Sequence, residues 1–103
     1  MGFLSVLAFI VQSGWAGVLE DFNAATQAYR RHEYDEAIAL YTKVIESGGV
    51  TRKGLAKTFQ NRGDAWQGKG NHDKAIADYT KAMDLDPTDD KAFLRRGELS
   101  LKP

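Results

Sequence analysis

The chain has 103 residues, 43% hydrophobic and 27% charged, which suits one small globular domain with a single modest core. Lys and Arg together number 14, as do Asp and Glu, so no net charge draws the chain toward nucleic acid or an anionic membrane. The absence of cysteine excludes disulfides, a thiol nucleophile, thiolate zinc sites and a lipidated bacterial N-terminus.

Residues 1–17, MGFLSVLAFIVQSGWAG, differ in character from the rest of the chain. Residues 3–11 form a nearly unbroken apolar run, ended by Gln12 and Ser13, and Gly14 and Ala16 place small residues at the −3 and −1 positions of a cut after Ala16. That is the pattern of a secretory signal peptide over residues 1–16, although no Lys or Arg precedes the run. The run falls short of the roughly 20 residues that span a bilayer. The expectation is an exported protein, periplasmic or secreted. The alternatives are an apolar helix packed on the domain in a cytoplasmic protein, and a membrane anchor.

Five helices are expected after this segment, near 18–31, 34–47, 52–69, 72–85 and 88–100. Each carries apolar residues at i, i+3 and i+4. The connection SGGVTRKG (47–54) separates the second and third. Gly70-Asn71 makes a turn, with Asn71 a natural N-cap for the fourth helix, and Pro87 is expected to end that helix and open the fifth. The third helix raises a difficulty. Within KTFQNRGDAW (57–66), Arg62 and Gly63 stand side by side where a buried face is due. Gly in a helix interior costs roughly 1 kcal/mol relative to Ala, and a charge on a buried face needs a partner.

An internal repeat resolves it. Lys57, Phe59, Arg62 and Gly63 recur as Lys91, Phe93, Arg96 and Gly97, each at an offset of 34 residues. The full unit runs Phe59, Arg62-Gly63, Trp66, Ala75, Tyr79, Ala82, Pro87. In residue type and spacing it resembles the tetratricopeptide repeat, a helix–turn–helix unit with a 34-residue period. Arg62 alone departs, since a large apolar residue is usual there. A weaker copy lies upstream: YDEAIALYTKV (34–44) matches HDKAIADYTKA (72–82) at an offset of 38. Its first helix is degenerate, with Asp21, Ala24-Ala25 and Ala28 in the places of Phe59, Arg62-Gly63 and Trp66, and with Phe22 and Tyr29 offering bulk one residue later. The longer offset puts four extra residues into the connection at 47–54.

The resemblance implies an all-α fold, antiparallel helix pairs stacked as a short right-handed solenoid. Repeat one covers about 18–51 plus the linker, repeat two about 56–89 and a half repeat 90–103, together a domain over 17–103. Gly63, Ala75 and Ala82 are the small residues that let helices touch, with Phe59, Trp66 and Tyr79 filling the gaps between them. Arg62 needs an acid, and Asp78 in the second helix is the candidate. In the upstream copy Ala24 and Leu40 hold those two places, so both charges vanish together. A bidentate, half-buried ion pair between Arg62 and Asp78 is expected. Two and a half repeats leave an open end, which meets a partner or a second copy unless the chain is a fragment.

No residue pattern supports catalysis, a cofactor or a metal. RGD (62–64) lies inside a helix, HEYDE (32–36) lacks a second His four residues on, and DLDPTDD (84–90) lacks calcium-loop spacing. Tetratricopeptide units bind peptides or partner proteins on the concave face formed by the first helix of each pair. The resemblance therefore implies a non-enzymatic interaction module, most concretely an exported bacterial adaptor. A membrane-tethered assembly subunit is the alternative and a hydrolase the remote one. Register carries Asn23, Arg30, Lys57, Asn61, Lys91 and Arg95 to that face, tempered by Asp64 and Glu98. An acidic or carboxylate-terminated peptide is the expected partner. Asn61, Lys91 and Arg95 take places of the carboxylate clamp of chaperone-binding tetratricopeptide domains, but Phe22 and Thr26 stand where that clamp has its first Lys and Asn. Nucleic acid is not expected as a partner, and a membrane is expected only through an uncleaved N-terminus.

Overall fold

The computed structural model describes residues 15–100. Among them are five helices and no strand: α1 (Trp15–Arg30), α2 (Tyr34–Ser47), α3 (Arg52–Gly68), α4 (His72–Leu85) and α5 (Asp90–Ser100). Of the signal-like segment, residues 1–14 lie outside the described range, and the cut expected after Ala16 falls in the first turn of α1. Each helix packs on the next in chain order, α1 on α2, α2 on α3, α3 on α4 and α4 on α5, and α1 also touches α3. The result is two antiparallel pairs and the first helix of a third.

The turns follow local chemistry. Within each pair the chain reverses through a left-handed residue, His32 (φ 62°) in the first and Gly70 (φ 88°) in the second. The residue after it reaches back to a helix carbonyl, Glu33 N–H to Ala28 O and Asn71 N–H to Trp66 O, both at 2.9 Å. These bonds satisfy carbonyls at the helix end. Glycine adopts that conformation freely. His32 does so at a cost of about 1 kcal/mol, with its ring Nδ1 held 2.7 Å from the Tyr34 hydroxyl. Asn71 caps α4 by accepting from Lys74 N–H at 3.2 Å, and Thr51 caps α3 by accepting from Gly54 N–H at 3.1 Å. Arg52 reaches across to the Leu85 carbonyl at 3.0 Å and so closes the end of α4.

Pro87 corrects an expectation. It is exposed and does not open α5, which starts at Asp90 rather than 88. Asp86 ties up Thr88, whose hydroxyl donates to its carboxylate at 2.6 Å. Asp89 N–H bonds the Asp86 carbonyl at 3.2 Å, closing a turn. The Asp89 carboxylate, accepting from Lys91 N–H at 3.0 Å, caps the helix.

The core is a chain of small and aromatic residues along the stack. Ala25, Ala28, Ala37, Tyr41 and Ala65 form one buried cluster, with Phe22, Tyr34, Ile38 and Leu40 around it. Ala75, Tyr79 and Leu99 form a second beside Trp66, and Ala82, Met83 and Ala92 a third beside Phe59. In the degenerate first unit Phe22 meets Tyr41 edge-on, with ring centroids 5.7 Å apart. Trp66 is half-buried and carries the Lys74 ammonium 4.5 Å from its ring.

At Gly63 the α3 backbone lies directly on the Tyr79 ring, so that a Cβ there would fall 2.7 Å from Tyr79 Cε1. Gly68 is as tight, 2.5 Å by the same measure from the Tyr34 ring. Beside Gly63, Arg62 turns across the seam. Its Nε donates to Asp78 Oδ2 at 2.7 Å and its Nη2 to Asp78 Oδ1 at 2.8 Å. The third nitrogen, Nη1, donates to Thr42 Oγ1 on α2 at 3.0 Å, and the Phe59 ring lies 5.3 Å from the guanidinium carbon. The side chains of Arg62 and Asp78 are only 20% and 8% exposed, so a lone survivor of the pair would be stranded in a poorly solvated seam.

Arg62→Ala is therefore expected to destabilise by roughly 3–5 kcal/mol. Adding Asp78→Leu, which copies what the first unit carries at Leu40, should restore part of that loss. A double-mutant cycle in urea measures the coupling, and additive losses would mean that the two side chains are not energetic partners. The glycines separate in the same assay. Gly63→Ala should destabilise by about 1–3 kcal/mol through overpacking. Gly97→Ala, where a Cβ meets nothing within 4 Å, should stabilise by about 0.5–1 kcal/mol.

Candidate functional site

Alternate helices of the stack run parallel, so α1 and α3 face each other along a furrow. Residues at helical spacing line it from end to end. Val18, Leu19 and Phe22 of α1 oppose Gly54, Lys57 and Thr58 of α3. Further along, Thr26, Tyr29 and Arg30 oppose Asn61 and Asp64. Two cavities occupy the furrow. The first, of about 530 Å³, is walled by apolar side chains and closed by Gly49, Val50 and Lys53. The second, of about 230 Å³, is the more polar of the two, lined by Thr26, Tyr29, Arg30, Tyr41, Asn61 and Asp64.

A carboxylate governs the polar end. The Tyr79 hydroxyl donates to Asp64 Oδ1 at 2.6 Å and lies 3.0 Å from Gln67 Oε1. Arg95 Nη1 from α5 lies 3.0 Å from Asp64 Oδ2. Burial raises the Asp64 carboxyl above the ordinary carboxylate range, opposed by the Tyr79 hydrogen bond and the Arg95 charge. Burial, and then the Asp64 bond, hold the Tyr79 phenol far above its ordinary value, so it stays a donor. Buried Gln60 lies between Asp89 and Arg95, and its amide completes the network when turned so that its nitrogen faces Asp89 (3.1 Å) and its oxygen faces Arg95 (2.6 Å). The first unit repeats the geometry without charge, with Tyr41 and Thr26 hydroxyls 2.9 Å apart.

The residues assigned to the groove are divided by the structure. Lys57 lines the apolar cavity, whereas Arg30 and Asn61 line the polar one. Asn23 and Lys91 are exposed on α1 and α5 and line neither cavity. Among the described residues, Arg30, Lys57 and Lys91 make no ion pair. Arg95 is paired with the Asp64 carboxylate, which takes up part of its charge. Val18, Leu19, Val50 and Lys53 did not figure in the sequence reading of the groove. The available signal was the Val18, Phe22, Thr26 spacing continuing one stripe toward the lengthened connection. Among the described residues no three metal-ligating side chains cluster, and no helix is long and apolar enough to cross a membrane.

Residues 56–89 match the tetratricopeptide repeat family model. The rice "Protein SGT1 homolog" is 35% identical over 76% of this chain and 20% of its own length. Zebrafish "Protein unc-45 homolog B" is 39% identical over 66% of this chain and 7% of its own. Mouse "Tetratricopeptide repeat protein 16" is 38% identical over 76% of this chain and 10% of its own. The chain thus spans a fifth or less of each of these relatives. The N-terminal domain of stress-induced protein-1 from C. elegans shares the fold, with a TM-score of 0.74 at 19% identity, over 81% of this chain and 67% of that domain. The helix pairs and the 34-residue unit agree with the match of residues 56–89 to the tetratricopeptide repeat model, and the solved structure shows the same fold.

Proposed function

We propose that this chain is a non-enzymatic interaction module that takes an extended peptide of a partner protein along the furrow between α1 and α3. The observation that supports it is the furrow's polarity. The apolar cavity lies at one end with Lys53 and Lys57 on its rim, and the polar cavity with Arg30 and Asn61 lies at the other. A peptide placing a large apolar side chain among Val18, Leu19 and Phe22 brings a nearby carboxylate to Lys57. The Asn61 amide is placed to hold the peptide backbone. The partner segment is thus apolar and acidic, with its recognition charges met by Lys57 and Arg30 rather than by Arg95. The apolar run of residues 3–11 and the small residues Gly14 and Ala16 support export, which fits binding on a surface presented outside the cytoplasm.

A peptide library varied in acidic and apolar content, titrated against the chain, tests the reading. Leu19→Asp should abolish capture of the selected peptides, since Leu19 is 52% exposed in the furrow and contributes nothing to the core. Lys57→Ala should weaken binding about two- to fivefold, with the difference shrinking as salt rises. Binding unchanged in both variants would remove the furrow as the recognition surface. For export, N-terminal sequencing of protein recovered from the source cell should begin at Gly17, and recovery of residues 1–16 in the folded product would exclude cleavage.

A further inference from the structure

The apolar cavity at the closed end of the furrow has a wall of one chemistry and a rim of another. Val18, Leu19, Phe22 and Val50 line it with hydrocarbon, and its volume of about 530 Å³ is that of a small-molecule site. Polar groups of the wall are paired within the chain. The Thr58 hydroxyl donates to the Gly54 carbonyl at 2.8 Å, Gly54 N–H donates to Thr51 Oγ1 at 3.1 Å, and Gly49 N–H donates to Ser47 Oγ at 3.1 Å. A ligand amide buried there would have to compete for those groups, whereas a methylene chain has nothing to pair. The charged residues among those lining the cavity are Lys53 and Lys57. They stand four apart on α3, so both ammonium groups leave the helix on one side. Both residues are exposed, and among the described residues neither makes an ion pair. Asp86 feels the Lys53 charge but accepts its hydrogen bond from Thr88.

We propose that this cavity binds a free single-chain amphiphile with an anionic head, of the fatty-acid class, its hydrocarbon chain among Val18, Leu19, Phe22 and Val50 and its carboxylate at Lys53 and Lys57. Burial of the chain supplies most of the affinity. The exposed lysines add less to the affinity and select the head group. Charge also picks this occupant over the nearest alternative. The chain's own apolar run over residues 3–11 has the hydrocarbon, but residues 1–14 contain no Asp or Glu to meet the two lysines. The inference shares the furrow with the peptide reading and does not rest on it, since it uses the closed end alone and none of Arg30, Asn61 or Asp64.

Titration calorimetry of the full chain with dodecanoate, kept below its micelle concentration, tests the proposal. Binding should saturate below about 1 mM ligand, and each methylene removed from the ligand should weaken it about two- to fourfold. Lys53→Ala combined with Lys57→Ala should weaken it about three- to tenfold, with the difference shrinking as salt rises. Dodecyltrimethylammonium, with the same chain and the opposite charge, should bind more weakly than dodecanoate and gain nothing from those lysines. Val50→Asp, in the connection and outside every helix, should abolish dodecanoate binding. The lysine pair changes exposed side chains alone, so it reports on binding even where Val50→Asp disturbs folding. No binding at about 1 mM dodecanoate, or equal affinity for the two amphiphiles, would overturn the site. Binding indifferent to both Val50→Asp and the lysine pair would overturn it too, moving the ligand elsewhere, such as to the run at 3–11. Dodecanoate binding without capture of any peptide would leave this inference standing and remove the peptide reading. Peptide capture without dodecanoate binding would do the reverse.

Discussion

The contact between α3 and α4 at Gly63 controls the stack. With no side chain on Gly63, the backbone of one helix lies on the ring of Tyr79 in the other. Their sequence neighbours, Arg62 and Asp78, must then meet across the same seam, and they do so with two hydrogen bonds under 2.9 Å. Two adjacent pairings of unlike chemistry, ring on glycine and guanidinium on carboxylate, fix the register. A slip that satisfied one would strand the other, and a stranded charge in a poorly solvated seam is costly. The link from Arg62 to Thr42 carries the same constraint to α2 and so orients the second pair on the first. The furrow between α1 and α3 inherits its shape from that orientation.

The first unit reaches the same geometry by other means. Ala25 takes the place of Gly63, Ala24 and Leu40 those of the ion pair, and the Thr26–Tyr41 bond that of Asp64–Tyr79. Its cohesion is apolar packing, which tolerates small shifts. The second unit uses directional charge-assisted bonds, which do not. This contrast between neighbouring units places the rigid register element in the middle of the chain, where it contacts helices on both sides.

Much of this was legible before any coordinates. The helix pairs and the 34-residue period follow from small and aromatic residues at regular spacing. The partner of Arg62 was legible because its acid disappears from the upstream copy together with the base. What stayed hidden depends on groups brought together only by stacking. Thr42 as a third ligand of Arg62 lies 20 residues away, with no complementary charge to mark it. Arg95 reads as a groove cation tempered by either Asp64 or Glu98, and only the stacking of α5 beside α3 selects Asp64 as its partner. The close approach at Gly68 involves Tyr34 in the preceding unit, outside the motif that explains Gly63. Pro87 misled because the Asp86 and Asp89 side chains, rather than the proline ring, decide where α5 begins.

For the proposed peptide in the furrow, the departures from the repeat matter more than the repeat itself. A strictly periodic stack would present the same side chains every 34 residues, and a surface with that symmetry gives an extended chain no preferred end. Here the connection lengthened by four residues sets Gly49 and Val50 against Val18 and Phe22, and so closes one end of the furrow into an apolar cavity. At the other end, the change from Thr26 in the first unit to Asp64 in the second places a carboxylate where the furrow meets α5, and Arg95 neutralises it. One end then favours a buried hydrocarbon and the other a hydrogen-bonded backbone. An extended ligand that satisfies both has one orientation only, because reversing it would put its polar end among Val18, Leu19 and Phe22 and its apolar side chain against Asp64. On the proposed reading, specificity on so small a scaffold comes from that opposition, which exists only because the two units are unequal.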